Sequence, residues 1–388
     1  MRRIAAVATG SVLALSGMLL GGPPSASGQG KPPAVVSLGD SFISGEAGRW
    51  QGNGDGGNAG SRFGTDRGAY SCNASESWCW HDAHRAYGTS YDNKCNRSGS
   101  AEITHVERVR VAGNAYPIAP EDRVNISCSG ATTDAIYKTA FKLERVQTSQ
   151  LYDLALKKSV KLVVLSVGGN DIQFSDIIET CAMRFIKGSS PHCNKDLGKE
   201  IPSRIATMEQ AVKKSVEAIR GTMSNAGYQA SDYRLVLQTY PSPIPAGANY
   251  RADLPETNYS RATSGGCPFY NDDSDWADGT VVSDLADAHR KTAEGERIDF
   301  LDLRRALQGH EVCSKSTYQA TSSNTLKNPI PAERSEWVRW AGYNFHFSQG
   351  NKQEYLHPNY YGQQKLGDCL NVLASGADSD YTCPAPAA

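Results

Sequence analysis

Five short runs rich in Val, Leu and Ile constrain the fold of this 388-residue chain more than any other feature. The apolar residues in each run are continuous rather than alternating, which is typical of strands that are covered on both faces in a parallel sheet. Their length also suits buried strands better than helices. The runs span residues 34–38, 124–127, 162–167, 234–239 and 298–303.

Helical periodicity fills several of the gaps between these runs. Over residues 205–226, apolar side chains recur every three or four positions and the pattern ends before Gly227, which predicts an amphipathic helix. Shorter helices are predicted over residues 282–291 and 361–373. Strands that alternate with helices predict an α/β fold, a three-layer α/β/α sandwich around a parallel five-stranded sheet. No Pro- or Ser-rich linker divides the chain, so residues 29–388 are predicted to form a single domain.

Residues 48–120 fit no element of this sheet. They begin with a polar, glycine-rich stretch at 51–57 and contain three cysteines. We predict a long irregular excursion that is held by disulfides and acts as a lid or binding loop. The glycine-rich stretch could imitate a calcium loop, but it lacks the carboxylate spacing of an EF-hand. A flexible turn is the favoured interpretation.

The amino terminus has the pattern of a secretory signal peptide. Arg2 and Arg3 precede a mostly apolar stretch, and small residues follow near Ser27 and Gly28. We predict a signal peptide over residues 1–28 and a secreted, extracellular protein. The arginine pair could instead mark a twin-arginine signal, although such pairs are common in ordinary export signals. No later segment is long and apolar enough to anchor the chain in a membrane, and the net charge of −1 gives no indication of a nucleic-acid partner.

All ten cysteines follow the signal, and an even number in an exported chain predicts a disulfide framework. Short separations favour Cys181 with Cys193 and Cys369 with Cys383. Pairing of Cys267 with Cys313 is plausible, and Cys95 with Cys128 is then preferred among the remaining four, which also include Cys72 and Cys79. A metal site is a poor alternative because no Cys-x-x-Cys pair occurs.

Four short segments place polar residues at strand ends or in loops. Gly39-Asp40-Ser41 follows the first apolar run and Gly168-Gly169-Asn170-Asp171 follows the third, while Cys128-Ser129-Gly130 and Tyr355-Leu356-His357-Pro358 lie in loops. Ligands collect at the carboxyl ends of parallel strands. Each segment alone has an ordinary structural interpretation: Asp and Ser suit turns, Gly suits a tight turn and Asn suits a helix cap.

Together and in this order, the four segments resemble the SGNH (GDSL-type) hydrolase family, in particular its secreted bacterial esterase and lipase branch. The resemblance implies Ser41 as the nucleophile and His357 as the general base. It also implies an oxyanion hole formed by the backbone N–H groups of Ser41 and Gly130 and the side chain of Asn170. The family usually has an Asp three residues before the histidine, whereas this chain has Glu354.

These residue types suit ester hydrolysis through an acyl-enzyme. Imidazole is the usual base for a serine hydroxyl, an oxyanion needs preorganised donors, and the imidazolium needs an acceptor on its second nitrogen. Glu354 is predicted as that acceptor. A backbone carbonyl from residues 345–353 is the alternative, and it would leave a dyad of Ser41 and His357.

We therefore predict a monomer that hydrolyses a small-molecule or lipid carboxylic ester without a metal or other cofactor. A phospholipase, a lysophospholipase and a feruloyl esterase are alternatives within the same fold. Aromatic residues over 337–355 could line an acyl site, stack on an aromatic acid or sugar, or simply pack. An inactive extracellular binding module is the alternative from another class, and the intact candidate residues argue against it. A metal site at His81 and His84 lacks a third ligand by spacing.

Overall fold

The computed structural model describes residues 30–54, 64–68, 71–72, 79–80, 82–257, 259–341 and 352–387. The proposed signal peptide lies outside these residues. The strands are, in chain order, β1 (Pro33–Gly39), β2 (Ser71–Cys72), β3 (Cys79–Trp80), β4 (Arg108–Val111), β5 (Asn114–Pro117), β6 (Arg123–Asn125), β7 (Ser159–Ser166), β8 (Arg234–Gln238), β9 (Asp299–Asp302) and β10 (Asp380–Thr382).

The central sheet has the order β10-β9-β8-β7-β1-β6, and every neighbouring pair is parallel. The two inner strands pair over their whole length, with Val36 beside Val163 and Leu38 beside Leu165. The predicted α/β fold and parallel sheet are confirmed, but the sheet has six strands rather than five. The additional strand, β10, is a polar and largely exposed edge strand, so it carries no apolar run that would predict it.

Helices cover the sheet on both faces and make the three-layer sandwich. They are α1 (Ser41–Ser44), α2 (His84–Tyr87), α3 (Thr133–Tyr137), α4 (Gln147–Lys157), α5 (Phe174–Lys187), α6 (Cys193–Leu197), α7 (Ile201–Asn225), α8 (Ser260–Thr263), α9 (Asn271–Trp276), α10 (Ser283–Glu296) and α11 (Tyr360–Ser375), with a π-helical segment, Ala277–Val282, before α10.

The three predicted helices correspond to α7, α10 and α11. The apolar positions that predicted α7 are its buried face, including Met208, Val212, Val216, Ile219 and Met223. This helix packs against α3, α4 and α10, while α11 packs against the 3₁₀ turn Glu102–His105 and β4. Because both sides of the sheet are covered, the side chains of the central strands β1 and β7 are almost fully buried.

The sequence predicted an irregular excursion over residues 48–120. Parts of this segment are regular instead, although they add no strand to the central sheet. They contain the two-stranded pair β2–β3 and the hairpin β4–β5, whose turn residues Ala112 and Gly113 both have positive φ. Short helical turns fill much of the rest. Residues 55–63, which include the last three residues of the glycine-rich stretch, lie outside the described part of the chain.

Four disulfides join Cys95 to Cys128, Cys181 to Cys193, Cys267 to Cys313 and Cys369 to Cys383. These are the four pairings that the sequence favoured. Cys72 and Cys79 stand opposite each other in the β2–β3 register. Within the described residues, no helix combines the length and apolar character needed to cross a bilayer.

Candidate active site

The turn after β1 presents Ser41. Gly39 has φ +138°, and a Cβ there would lie 1.9 Å from the carbonyl oxygen of Ser166 on β7, so only glycine fits. The side chain of Asp40 caps α1 by accepting a hydrogen bond from Phe42 N–H at 3.1 Å. Ser41 is consequently the first helical residue, placed at the carboxyl end of a central strand.

His357 meets this serine directly. Its Nε2 lies 2.7 Å from Ser41 Oγ, and its Nδ1 lies 3.0 Å from the backbone oxygen of Tyr355. Burial lowers the pKa of His357 to about 4, although the Tyr355 carbonyl and the charge of Glu354 act in the opposite direction. The imidazole is therefore neutral at pH 7, with Nδ1 donating to Tyr355 and Nε2 able to accept the serine proton.

The candidate oxyanion donors lie on two adjacent loops. Asn170 Nδ2 donates to the Ala131 carbonyl at 2.9 Å, and this bond brings the amide to the segment that contains Gly130. Gly130 has φ +80°, a conformation that favours glycine. Within the described residues, the N–H groups of Ser41 and Gly130 donate to no backbone oxygen, so both are available to a ligand.

Two further contacts hold these loops in place. Asp171 accepts hydrogen bonds from the N–H and hydroxyl of Thr133, so the loop after β7 is attached to the start of α3. Tyr240 donates to Asp40 Oδ2 at 2.5 Å and accepts from Gly169 N–H at 3.2 Å. The capping carboxyl group beside Ser41 is thereby linked to the loop that carries Asn170. Burial raises the pKa of Asp40 to about 7.

Glu354 does not occupy the position that the sequence predicted. Its carboxylate accepts hydrogen bonds from Arg49, Trp50 and Tyr87, and His357 Nδ1 is bonded to the Tyr355 oxygen instead. The prediction of a direct bond from Glu354 to the imidazole is therefore wrong. The alternative of a backbone acceptor is the one observed, but the carbonyl belongs to Tyr355, just after the 345–353 range in which we expected it.

An apolar cleft of about 670 Å³ opens beside this serine and histidine. One wall is α5, which turns Ile177, Cys181 and Phe185 toward the core. Other elements contribute Tyr240, Pro268 and Leu285 to the lining. The residues of α5 that line the cleft recur at four-residue steps in two rows, Phe174, Ile178, Ala182 and Ile186 in one and Ser175, Glu179 and Met183 in the other.

Sequence reasoning missed most of this cleft. The four-residue spacing from Phe174 to Ile186 was a readable helical signal, whereas the contacts of Tyr240 could not be anticipated. Of the aromatic residues over 337–355, Trp340 is buried in the core and Tyr355 lines the cleft. Residues 342–350, which include Tyr343, Phe345 and Phe347, lie outside the described chain.

The metal alternatives gain no support from the described residues. His84 is bonded through its two ring nitrogens to Asp82 and Asp92, and His81 lies outside the described residues. Cys181, Cys193 and Asp273 lie close enough together to share an ion. Those two cysteines are joined in a disulfide, however, and a disulfide offers no thiolate.

The parallel sandwich, the apolar cleft and the serine–histidine pair in its lining have the architecture of a hydrolase. The model of the GDSL-like Lipase/Acylhydrolase family matches residues 87–365, more than half of the chain. The chain belongs to this family. The matched segment includes Gly130, Asn170 and His357, while Ser41 precedes it. No curated protein sequence matches the chain significantly.

Several solved structures are similar to this chain at low identity. The extracellular lipase of Streptomyces rimosus is 20% identical with a TM-score of 0.43, and phospholipase A1 of Streptomyces albidoflavus NA297 is 18% identical with a TM-score of 0.46. Each match covers 89% of this chain and 100% of the other. An aryl esterase of M. smegmatis is 12% identical, with 88% and 96% coverage and a TM-score of 0.33.

Proposed function

We propose that this protein is a secreted serine hydrolase that cleaves carboxylic esters through an acyl-enzyme on Ser41. The observation that carries this proposal is the 2.7 Å contact between Ser41 Oγ and the neutral His357 Nε2 in the lining of an apolar cleft. A serine hydroxyl at this distance from an unprotonated imidazole is poised for general-base activation.

Acylation begins when Ser41 Oγ attacks the ester carbonyl and His357 Nε2 takes the hydroxyl proton. The carbonyl oxygen becomes an oxyanion, which the N–H groups of Ser41 and Gly130 and the amide of Asn170 stabilise. The Tyr355 carbonyl keeps the ring oriented and accepts from Nδ1 of the imidazolium. His357 then gives its proton to the departing alkoxide, and the acyl group stays on Ser41.

Deacylation repeats these steps with water as the nucleophile. His357 removes a proton from water, the hydroxide attacks the acyl carbonyl, and the second oxyanion uses the same donors. Collapse of this intermediate releases the carboxylic acid, and the proton returns from His357 to Ser41 Oγ. No step in this scheme needs a cofactor.

The shape of the cleft favours an extended aliphatic acyl group. Its α5 wall presents Phe174, Ile178, Ala182 and Ile186 along the helix, and each buried methylene of an acyl chain contributes about 0.8 kcal/mol. Long-chain lipid esters are therefore the substrate class that we propose. A phospholipase or lysophospholipase is the second candidate, because its substrates carry the same acyl chains. A feruloyl ester would use this aliphatic wall less completely.

We also propose that residues 1–28 are removed on export and that residues 29–388 form a single domain. The four disulfides support an oxidising destination. Sequencing of the amino terminus of the exported protein tests the cleavage site. An export product that retained residues 1–28 would contradict it.

The substitution Ser41→Ala tests the proposed function. We expect it to abolish hydrolysis of p-nitrophenyl esters and labelling by a fluorophosphonate, with little change in melting temperature, because within the described residues the hydroxyl is hydrogen-bonded to His357 alone. Ser203→Ala, which alters an exposed serine on α7, is the matched control and should keep both activities. Wild-type turnover by Ser41→Ala would refute the proposal, and a folded wild-type protein without labelling or turnover would favour the binding module.

A substrate panel tests the acyl preference. We expect kcat/KM to rise with acyl length across p-nitrophenyl esters and to exceed that for hydroxycinnamate esters. Hydrolysis of diacyl or lysophospholipids at a comparable kcat/KM would support the second candidate. A maximum at acetate would contradict the long-chain assignment.

A further inference from the structure

Glu354 is a fully buried carboxylate with an unusually complete set of donors. It accepts from Arg49 Nε at 2.7 Å and Arg49 Nη2 at 3.0 Å, from Trp50 Nε1 at 3.0 Å and from Tyr87 OH at 2.5 Å. Burial alone would raise the pKa of Glu354, but Arg49 and these hydrogen bonds lower it to about 2. The side chain is therefore a fixed negative charge. We call Arg49, Trp50, Tyr87 and Glu354 the anchor cluster.

The donors of the anchor cluster belong to the segment that follows Ser41 or are hydrogen-bonded to it. Arg49 and Trp50 follow α1 and its Gly45 turn, and the hydroxyl of Tyr87 accepts from Ala47 N–H at 3.2 Å. Trp50 also accepts a backbone hydrogen bond from Tyr360 N–H at 2.8 Å. The acceptor of the cluster, in contrast, lies three residues before the base. The cluster thus joins the segment after Ser41 to the segment before His357.

The backbone between Glu354 and His357 has a conformation that needs such support. Leu356 has φ +59°, in the left-handed region that a leucine rarely adopts. This reversal allows the Tyr355 carbonyl to accept from the ring of His357 two residues later. Arg339 supports it from the other side, since it exchanges backbone hydrogen bonds with Leu356 and His357 and its guanidinium lies 3.6 Å from the Trp50 ring. A strained backbone at a functional site persists only when its surroundings fix it.

We propose that Glu354 is a positioning residue for the ester hydrolysis proposed above. Held by Arg49, Trp50 and Tyr87, its carboxylate fixes the turn that aims the Tyr355 carbonyl at His357 Nδ1. Glu354 thus keeps a role that an acid at this position would have in a triad, but it acts through the backbone of its neighbour. The inference rests on the proposed function, because it presumes that His357 is the base.

Two substitutions of graded severity test this role. Glu354→Gln keeps the size of the side chain but brings an NH₂ group against the donors of Arg49 and Trp50. Tyr87→Phe removes one donor to Glu354, together with the acceptor of the Ala47 N–H, and keeps the ring and the Arg49 pair, so it should fold even if the first variant does not. The control is Asp299→Asn. It breaks a largely buried ion pair between Asp299 on β9 and Arg234 on β8, outside the site.

Active-site titration with a fluorophosphonate gives kcat per competent serine, which separates positioning from loss of folded protein. We expect Glu354→Gln to lower kcat on the order of 10²-fold, since misplacement by about 1 Å has this scale, with KM within about twofold. Tyr87→Phe should lower kcat about 3- to 10-fold. Glu354→Asp restores the charge, so its kcat should be higher than that of Glu354→Gln. Asp299→Asn should keep the wild-type kcat per titrated site, even if its melting temperature falls.

Three outcomes would overturn the proposal. One is a wild-type kcat per titrated site in Tyr87→Phe or Glu354→Gln, and another is an effect on KM alone. The third is a loss on the order of 10⁴-fold in Glu354→Gln, which would indicate a directly bonded triad acid. Failure of the proposed function is distinguishable, because it would show as ester hydrolysis that survives Ser41→Ala in the same assay.

Discussion

At the scale of single residues, Asn170 is the candidate donor whose placement is best defined. One hydrogen of its amide is used by the Ala131 carbonyl at 2.9 Å, and the second has no acceptor within the described residues and is available to a ligand in the cleft. The amide carries no charge that could titrate, so its donor strength is constant across the working pH range. Backbone donors such as Gly130 N–H cannot be removed by substitution, which makes Asn170 the accessible test of the oxyanion hole.

Asn170→Ala should lower kcat by about 10²–10³ and leave KM nearly unchanged, because the donor's bond strengthens as the oxyanion forms. Steady-state kinetics on a p-nitrophenyl ester measure both constants. Asn170→Asp is the informative companion, since a carboxylate of the same size would repel the oxyanion and should lose at least as much. A change confined to KM would instead identify Asn170 as a residue that binds the ground-state substrate.

The candidate site residues that could be predicted from the sequence are those proposed to act through their side chains. Ser41, Asn170 and His357 stand at the ends of elements or in loops, and short motifs mark these positions because few residue types suit both the turn and the chemistry. The acceptor for His357 was not predictable in the same way. It is a carbonyl, which every residue possesses, and its direction depends on the left-handed Leu356 and on contacts with Arg49, some 300 positions away in the chain.

At the scale of elements, the segment that carries Gly130 has no regular structure of its own and is held from several sides. The disulfide Cys95–Cys128 joins it to the excursion, and Cys128 N–H donates to the Gly39 carbonyl at 3.0 Å. Lys142 Nζ donates to the Ser129 carbonyl at 2.7 Å. Phe141 packs against the disulfide. The position of the Gly130 N–H therefore depends on a covalent bond to a distant loop.

The double variant Cys95→Ser/Cys128→Ser should lower both stability and kcat. Loss of a native disulfide typically costs about 2–5 kcal/mol, and release of the oxyanion segment should cost about tenfold in kcat. The control is Cys369→Ser/Cys383→Ser, which releases α11 from the chain after β10 and should affect melting temperature alone. Equal kcat values for the two variants, measured well below both melting temperatures, would contradict this role.

Elements were predictable where burial is uniform and unpredictable where it is not. The strands β1 and β7 are apolar throughout because both faces are covered, and α7 has a regular buried stripe. β10 pairs with β9 at an exposed edge of the sheet. Its residues are therefore held by backbone hydrogen bonds rather than by burial of apolar side chains. α5 divides its apolar residues between the core and the cleft, so its helical spacing predicts the helix but not which of its faces lines the cleft.

At the scale of the whole molecule, several buried carboxyl groups have pKa values that folding raises into the neutral range. Burial raises the pKa of Asp40 to about 7 and those of Glu46 and Glu102 to about 8. A group whose pKa is raised by folding contributes stability below its unfolded value and loses it as the pH rises through the folded value. His289 and His357 act oppositely, because burial lowers their pKa values to about 4 and their effect is complete above pH 6.5. Between about pH 6.5 and 8.5 these carboxyl groups therefore set the pH dependence of stability, and the free energy of unfolding should fall as the pH rises.

Glu102 offers the clearest test of this balance. Its Oε1 accepts from Gln238 Nε2 at 2.6 Å, while Oε2 has no hydrogen-bond partner within the described residues. The carboxyl group is therefore expected to be protonated below about pH 8 and to ionise at a cost above it. Glu102→Gln removes this titration and keeps the shape of the side chain. We expect its melting temperature, relative to wild type, to be higher by a few degrees at pH 8.5 than at pH 5.5.

The comparison between the two pH values matters more than either difference alone, because the new amide hydrogens cost the same at both. Glu121→Gln, on the exposed 3₁₀ turn before β6, is the control and should show no such dependence. Differential scanning calorimetry in matched ionic strength measures all three proteins. A pH-independent offset for Glu102→Gln would mean that Glu102 is ionised in the native state throughout, and the decline in stability above pH 6.5 would then come from the other buried carboxyl groups with raised pKa values, Asp40, Glu46 and Glu311.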